Sequence, residues 1–123
     1  MTIQLDHMNV RCTDVEAVRR FYQDVLQLKA GPRPAFSSEG YWLYADGAPL
    51  VHLVQRPKGE APADPHAALD HIAFRCTGKE EIRGRLEALR IPYRETAIPG
   101  TPIVQFFLHD PEGAGIELNF PPS

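Results

Sequence analysis

The chain has 123 residues, of which 43% are hydrophobic and 24% charged, and a formal net charge of -3. This length is typical of a single domain with its own core, and the acidic balance excludes the basic footprint of a nucleic-acid-binding protein. No apolar run approaches the roughly 20 residues that cross a bilayer, and residues 1–6 do not resemble a signal peptide; we therefore expect a cytoplasmic protein without a membrane partner.

In chain order, the first predicted strand has a second copy halfway along the sequence. Residues 6–13 read Asp-His-Met-Asn-Val-Arg-Cys-Thr and residues 70–77 read Asp-His-Ile-Ala-Phe-Arg-Cys-Thr, so five of eight positions are identical at an offset of 64. We interpret this similarity as a duplicated module. The only cysteines, Cys12 and Cys76, belong to the repeat and are too few for a disulfide framework. We expect both thiols to be free, small core residues.

A helix is predicted after each copy of the repeat. Thr13 with Glu16, and Thr77 with Glu80, fit the capping box that opens a helix. Apolar residues then recur at helical spacing over residues 15–26 and 82–89, and Ile91-Pro92 is expected to end the second helix. Both helices are amphipathic and should each cover one face of a sheet.

Short β-like runs follow each helix and define the modules. They cover residues 29–36, 40–45 and 50–56 in the first half, and residues 93–98, 103–109 and 115–120 in the second. Each half therefore has the order β-α-β-β-β. We predict one domain over residues 1–123, made of a first module (1–56), a Pro- and Ala-rich connector (57–68) and a second module (69–123).

Alternation along the strands separates a polar face from the face that meets the helix. On the first and fifth strands, Met8 and Ile72 begin the apolar sets, while His7 and His71 begin the opposite ones. On the last strand of each module, His52 and Glu117 interrupt apolar runs at an offset of 65. If the modules pack with pseudo-two-fold symmetry, these four side chains converge.

Imidazole and carboxylate groups clustered in this way suit Zn, Fe, Ni, Mn or Co. A lone histidine in a strand is more often a satisfied polar residue, but a repeated one together with a carboxylate is harder to explain by packing, because an unpaired buried carboxylate costs several kcal/mol. We predict a divalent metal site formed by His7, His52, His71 and Glu117. His52 is also a candidate for substrate contact, and His66 and His109 are expected at the surface.

These residues resemble the vicinal oxygen chelate superfamily, which includes glyoxalase I, bleomycin resistance proteins, extradiol dioxygenases and fosfomycin-resistance proteins. The matching segments cover nearly the whole chain: Asp-His7-Met, Phe21-Tyr22-x-x-Val-Leu26-x-Leu, Leu69-Asp-His71-Ile-Ala-Phe and Asp110-Pro-Glu-Gly-Ala-Gly-Ile-Glu117-Leu. The resemblance implies an α+β fold of two paired βαβββ modules that form an open, curved mixed sheet with the helices outside. It also implies a homodimer.

The resemblance assigns His7, His71 and Glu117 as metal ligands, and it places His52 where glyoxalase I has a glutamate. It implies a glyoxalase-like lyase or isomerase that acts on a small oxygenated substrate through a metal-stabilised enediolate, with Glu117 or His52 moving the proton. Arg11 and Arg75 are candidates to hold a substrate carboxylate, although both also fit a solvated role. The remaining candidates for substrate contact are Asn9 and Trp42.

Three other functions are open at this point. Two histidines and one carboxylate also suit a non-haem Fe(II) extradiol-type dioxygenase, although a ligating His52 would leave fewer positions for substrate and O₂. A non-catalytic antibiotic- or metabolite-binding protein is the alternative from another class, and retention of the ligand set argues against it. A thiol transferase acting on fosfomycin is the last, and we find no cation-binding loop for it.

Overall fold

A computed structural model describes the protein over residues 5–60 and 71–122. The chain divides into two compact units, Met1–Pro62 and Ala63–Ser123. Each unit contains one helix and a four-stranded mixed sheet in the order β-α-β-β-β. The predicted α+β class with two βαβββ modules is therefore confirmed. Of the predicted connector, residues 57–60 are described, and His66 lies outside the described residues.

The first unit comprises β1 (Met8–Cys12), α1 (Val15–Leu26), β2 (Lys29–Gly31), β3 (Gly40–Ala45) and β4 (Ala48–Gln55). Its strands lie in the order β1-β4-β3-β2. Strand β1 is parallel to β4, and the other neighbours are antiparallel. The parallel pair is possible because α1 and two further strands separate β1 from β4 along the chain.

The second unit repeats this arrangement with β5 (Ile72–Arg75), α2 (Lys79–Ala88), β6 (Arg94–Ala97), β7 (Val104–His109) and β8 (Gly115–Phe120). The strand order is β5-β8-β7-β6, and β5 is parallel to β8. None of the helices within residues 5–60 and 71–122 combines the length and apolar character that a membrane span requires.

The cores follow the alternation predicted from the sequence. On β4, Val51 and Leu53 are buried while His52 between them is half-buried. On β8, Ile116 and Leu118 are buried and Glu117 is half-buried. Helix α1 contacts β1, β3 and β4 and buries five residues, Val15, Val18, Phe21, Tyr22 and Val25. In the second unit α2 buries Ile82 and Leu86. We call the face of each sheet that carries His52 or Glu117 its site face.

Both predicted capping boxes are wrong. Helix α1 is capped by Asp14, whose carboxylate accepts a hydrogen bond from the Ala17 amide at 3.1 Å. Asp is a better cap than Thr because its side chain is a charged acceptor at the positive end of the helix dipole. Helix α2 begins after Gly78, a left-handed residue (φ 75°) that supplies no side-chain cap.

Several predicted boundaries also shift. Strand β2 was predicted over residues 29–36 but ends at Gly31. Pro32 and Pro34 have no backbone N–H to donate to a neighbouring strand. Helix α2 ends at Ala88, before the predicted Ile91-Pro92, and a left-handed residue, Arg90 (φ 55°), turns the chain away. Strand β8 matches its prediction at both ends.

Candidate functional site

The strand register places His52 and Glu117 at equivalent positions of the two units. In the first sheet His52 lies opposite Asn9 of β1, and in the second Glu117 lies opposite Ala73 of β5. His7 and His71 directly precede β1 and β5. Each unit therefore brings together one pair of predicted ligands, His7 with His52 and His71 with Glu117.

The pair in the first unit is a stack of rings. The His7 and His52 ring centroids are 3.8 Å apart with an interplanar angle of 12°. Trp42, the neighbour of His52 on β3, stacks on His52 at 4.1 Å and 11°. The three rings form one column on the site face, which we call the ring stack.

Hydrogen bonds fix which nitrogen of each histidine keeps a lone pair. His7 Nδ1 is 2.6 Å from Asp6 Oδ2, and a carboxylate oxygen accepts, so Nδ1 carries the proton and Nε2 is left available. His52 Nε2 donates to the Pro49 carbonyl at 3.1 Å, which leaves its lone pair on Nδ1. Metal-binding histidines in proteins are commonly oriented by such a bond from the second ring nitrogen.

The geometry of the ring stack restricts how His7 and His52 can bind the same metal ion. A metal ion binds an imidazole nitrogen near the ring plane at about 2.0–2.1 Å. Two nearly parallel planes at stacking separation do not meet at a point that is this close to both nitrogens. Binding of one ion by both His7 and His52 would therefore require the two rings to separate.

Burial and the adjacent ring also act on the protonation of His52. Desolvation, followed by the neighbouring His7, lowers the pKa of His52 from its ordinary value of 6.5. The hydrogen bond to Pro49 acts in the opposite direction without reversing the shift. This shift favours the neutral imidazole of His52, which keeps its lone pair on Nδ1.

The pair in the second unit is built differently. Glu117 Oε1 lies 3.5 Å from His71 Nε2, and the Glu117 side chain is only 12% exposed. Its other oxygen, Oε2, accepts a hydrogen bond from the Asn119 amide at 2.7 Å. One carboxylate oxygen is thus held in place, and the other is directed toward the histidine.

Asn119 is itself held by a chain of hydrogen bonds across the sheet. Gln105 Nε2 donates to Asn119 Oδ1 at 3.0 Å, and Thr96 Oγ1 donates to Gln105 Oε1 at 3.3 Å. Every donor in this amide chain points toward Glu117, so the last acceptor is the carboxylate. Because each link fixes the orientation of the next amide, the carboxylate is preorganised.

The predicted substrate-contacting residues have separate surroundings. Arg11 forms an ion pair with Glu60 at 2.7 Å, so its charge already has a protein partner. Arg75 and Asn9 are exposed on their strands. Trp42 belongs to the ring stack, and the exposed His109 ends β7 as expected for a surface residue. Cys12 is buried, Cys76 is half-buried, and the two form no disulfide. Burial raises the pKa of the Cys76 thiol to about 11.

Sequence reasoning did not identify Asp6, Gln105 or Thr96. Asp6 could have been recognised as a carboxylate beside a candidate ligand. Gln105 and Thr96 became visible only with the register of β6, β7 and β8, which pairs Gln105 with both Thr96 and Asn119.

Within residues 5–60 and 71–122, no group of three His, Cys, Asp or Glu side chains is arranged to hold a metal ion.

Two βαβββ units, each with a ligand-type pair on its site face, define a class of duplicated α+β proteins. Residues 4–118 match the Glyoxalase/Bleomycin resistance protein/Dioxygenase superfamily. A curated relative, "Glyoxylase I 4" of Arabidopsis thaliana, is 32% identical over 125 residues that cover 93% of this chain and 68% of that protein. The chain belongs to this superfamily, and its resemblance to the family is confirmed.

Solved structures share the fold at low sequence identity. A glyoxylase/bleomycin resistance protein/dioxygenase domain from Frankia sp. EAN1pec superposes with a TM-score of 0.79 at 18% identity, covering 99% of this chain and all of that one. A mutant of the fosfomycin resistance protein FosX from Listeria monocytogenes, complexed with Mn(II) and 1S,2S-dihydroxypropylphosphonic acid, gives a TM-score of 0.77 at 17% identity. It covers 99% of this chain and 95% of the FosX chain. At these identities the likeness establishes the fold alone.

Proposed function

We propose that this protein is a divalent-metal-dependent, glyoxalase-like lyase or isomerase that acts on a small oxygenated substrate. The observation that carries the proposal is the equivalence of the two pairs, His7 with His52 and His71 with Glu117, at matching register positions. Its support from relatives is the name of the Arabidopsis protein and the Mn(II) in the FosX complex.

The residues present suit a divalent cation. His7 has Nε2 free and its Nδ1 proton bound to Asp6, while Glu117 keeps Oε1 available and has Oε2 bound to Asn119. Imidazole nitrogen with carboxylate oxygen is a donor set that Zn, Mn, Fe, Co and Ni accept. In the proposal His7, His71 and Glu117 hold the ion.

A bound divalent ion would act as a Lewis acid on two neighbouring oxygens of the substrate. The chain supplies the proton transfer. His52 Nδ1 is one candidate proton acceptor, since Nε2 donates to Pro49, and Glu117 Oε1 is the other if it releases the ion. His52 is here a base held by Trp42 and His7, and a role as fourth ligand would require the stacked rings to separate.

The first test is elemental analysis of protein purified without chelators, together with His7→Ala, His71→Ala and Glu117→Ala. Near-stoichiometric metal that is lost in all three variants is the expected result, with His109→Ala as the matched control that keeps it. Zn or Ni, together with solvent-deuterium exchange at a carbon next to a substrate carbonyl, supports the lyase or isomerase. If the wild type takes up no Zn, Ni, Mn, Co or Fe(II), the proposed activity is wrong and a binding protein remains.

A non-haem Fe(II) dioxygenase is the second candidate, and one observation favours it. The ring stack keeps His52 from binding an ion that His7 holds. Two histidines and Glu117 would then leave coordination positions on that ion open for substrate and O₂. Iron in the purified protein and O₂ uptake with catechols would select this function over the lyase or isomerase.

A further inference from the structure

The loop between β2 and β3, residues 32–39, carries a guanidinium beside the ring stack. Arg33 Nη1 donates to the Ser38 carbonyl at 3.0 Å, and Nη2 donates to Ser38 Oγ at 3.2 Å. The guanidinium carbon lies 4.9 Å from the centre of the Phe36 ring. These contacts fix the position of a half-buried cation at the end of the first sheet.

The charge of Arg33 has no acidic partner among residues 5–60 and 71–122. In contrast, Arg11, Arg19 and Arg83 each pair with a glutamate. Arg33 Nε is also buried without a hydrogen-bond acceptor in this part of the chain. A guanidinium that is partly desolvated and lacks a counter-charge is destabilising by itself, and an anionic ligand would compensate for it.

Aromatic faces connect this cation to the ring stack. Phe36 is 54% exposed, an unusual fraction for a large apolar side chain, and its ring lies 6.4 Å from Trp42 at 47°. Trp42 in turn stacks on His52.

We propose that Arg33, Phe36 and Trp42 form a subsite for a planar, negatively charged group, a carboxylate attached to an aromatic or conjugated system. Nη1 and Nη2 of Arg33 each keep a second N–H beside the one donated to Ser38, and these can donate to a carboxylate. The two aromatic rings favour a flat partner that stacks. Arg11 is less suited to this role because Glu60 already neutralises it. The inference rests on the proposed function in that it names the substrate class of the same site.

The chain carries its own reporter, because Trp42 is its only tryptophan. Trp42 fluorescence is titrated with benzoate and with its neutral isostere benzamide, in the full-length wild type, Arg33→Gln and Arg20→Gln. Arg20 is an exposed arginine of α1 and controls for the loss of one positive charge. We expect Arg33→Gln to weaken benzoate binding by about ten- to a hundred-fold while benzamide binding and the response of Arg20→Gln stay unchanged.

Arg33→Lys separates charge from loop structure, since lysine keeps the charge and loses the two bonds to Ser38. Partial retention of benzoate binding, with an intact circular dichroism spectrum, supports the subsite. Equal binding of benzoate and benzamide by the wild type, no binding of either, or equal losses in Arg33→Gln and Arg20→Gln would overturn it. Metal content is measured on the same samples: Arg33-dependent benzoate binding without metal refutes the proposed activity and leaves the subsite standing.

Discussion

Two residues at equivalent backbone positions, His52 and Glu117, are controlled by different surroundings. His52 is enclosed by two rings and a carbonyl. Burial and then the neighbouring His7 lower its pKa, and the hydrogen bond to the Pro49 carbonyl opposes this shift. Glu117 is enclosed by a histidine and an amide that donates to it. In the proposed function, the duplicated position holds a base in one unit and a metal ligand in the other.

The amide chain predicts a role for Asn119 as a positioning residue. Asn119→Leu removes the donor to Glu117 Oε2, so the carboxylate loses its fixed orientation. We expect metal affinity to fall about 10- to 100-fold, the usual effect of losing such a partner. Calorimetric titration with Zn or Mn measures it, and Gln23→Leu, an exposed amide of α1, is the control that should bind normally. Unchanged affinity in Asn119→Leu would show that the chain does not position the ligand.

Glu16 predicts how stability depends on acid. Its hydrogen bonds from Tyr41 and then Arg19 lower the pKa of Glu16 below its ordinary 4.5. A carboxyl with a lowered folded-state pKa stabilises the protein above pH 4.5 and loses this contribution as the pH falls through the lowered value. Glu16→Gln should therefore flatten the decline of Tm below pH 4.5.

The control for this experiment is Glu39→Gln, which removes one exposed carboxylate of the same unit. We expect Glu16→Gln to reduce the slope of Tm against pH without abolishing it. The pKa of Glu80 is also lowered, by its hydrogen bond from Arg83, so protonation of Glu80 still destabilises the variant in acid. A decline that is equally steep in wild type and Glu16→Gln would contradict the argument.

At the scale of the elements, the strands were predictable and the helix starts were not. Alternation located β4 and β8, because buried Val51 and Leu53 lie two residues apart on one strand and buried Ile116 and Leu118 on the other. Thr13 and Asp14 are adjacent, and both are good caps, so the sequence pattern alone did not choose between them. The residue with the charged acceptor became the cap.

The capping assignment leads to a stability prediction. Asp14→Ala removes the acceptor for the Ala17 amide and should reduce the free energy of unfolding by about 1 kcal/mol. Asp24 is exposed on the same helix and is not its cap. Asp24→Ala therefore removes the same charge but should reduce the free energy of unfolding clearly less. Urea unfolding measures both, and equal losses would mean that charge and not capping matters.

The candidate site was predictable to the extent that it repeats. His7, His71, His52 and Glu117 were recognised because the duplication places them at matching positions. Arg33, Phe36, Gln105 and Thr96 have no repeated signal, and their roles depend on loop shape and on cross-strand contacts. Register and loop conformation follow from tertiary packing, which a single sequence does not display.

At the scale of the whole molecule, the proposed function predicts that a divalent metal ion raises the melting temperature. A ligand that binds only the folded state at a hundred times its Kd stabilises by about 2.7 kcal/mol, or about 10 °C in Tm for a chain of this length. We expect Zn or Mn to produce such a shift in the wild type. His7→Ala in the first unit and His71→Ala in the second should each abolish it, while His109→Ala should preserve it. A shift that survives in either ligand variant would place the metal elsewhere.

The edge position of β1 has a consequence for how the chain is made. Strand β1 pairs with β4, which ends at Gln55, so every strand of the first sheet has left the ribosome before β5 emerges. At about 5–20 residues per second, the 61 residues of the second unit, Ala63–Ser123, take about 3 to 12 s to synthesise. This delay is long compared with the folding time of a small domain. The first unit can therefore close its sheet during translation, which shields its apolar strands while its duplicate, similar enough to mispair with it, is still being added.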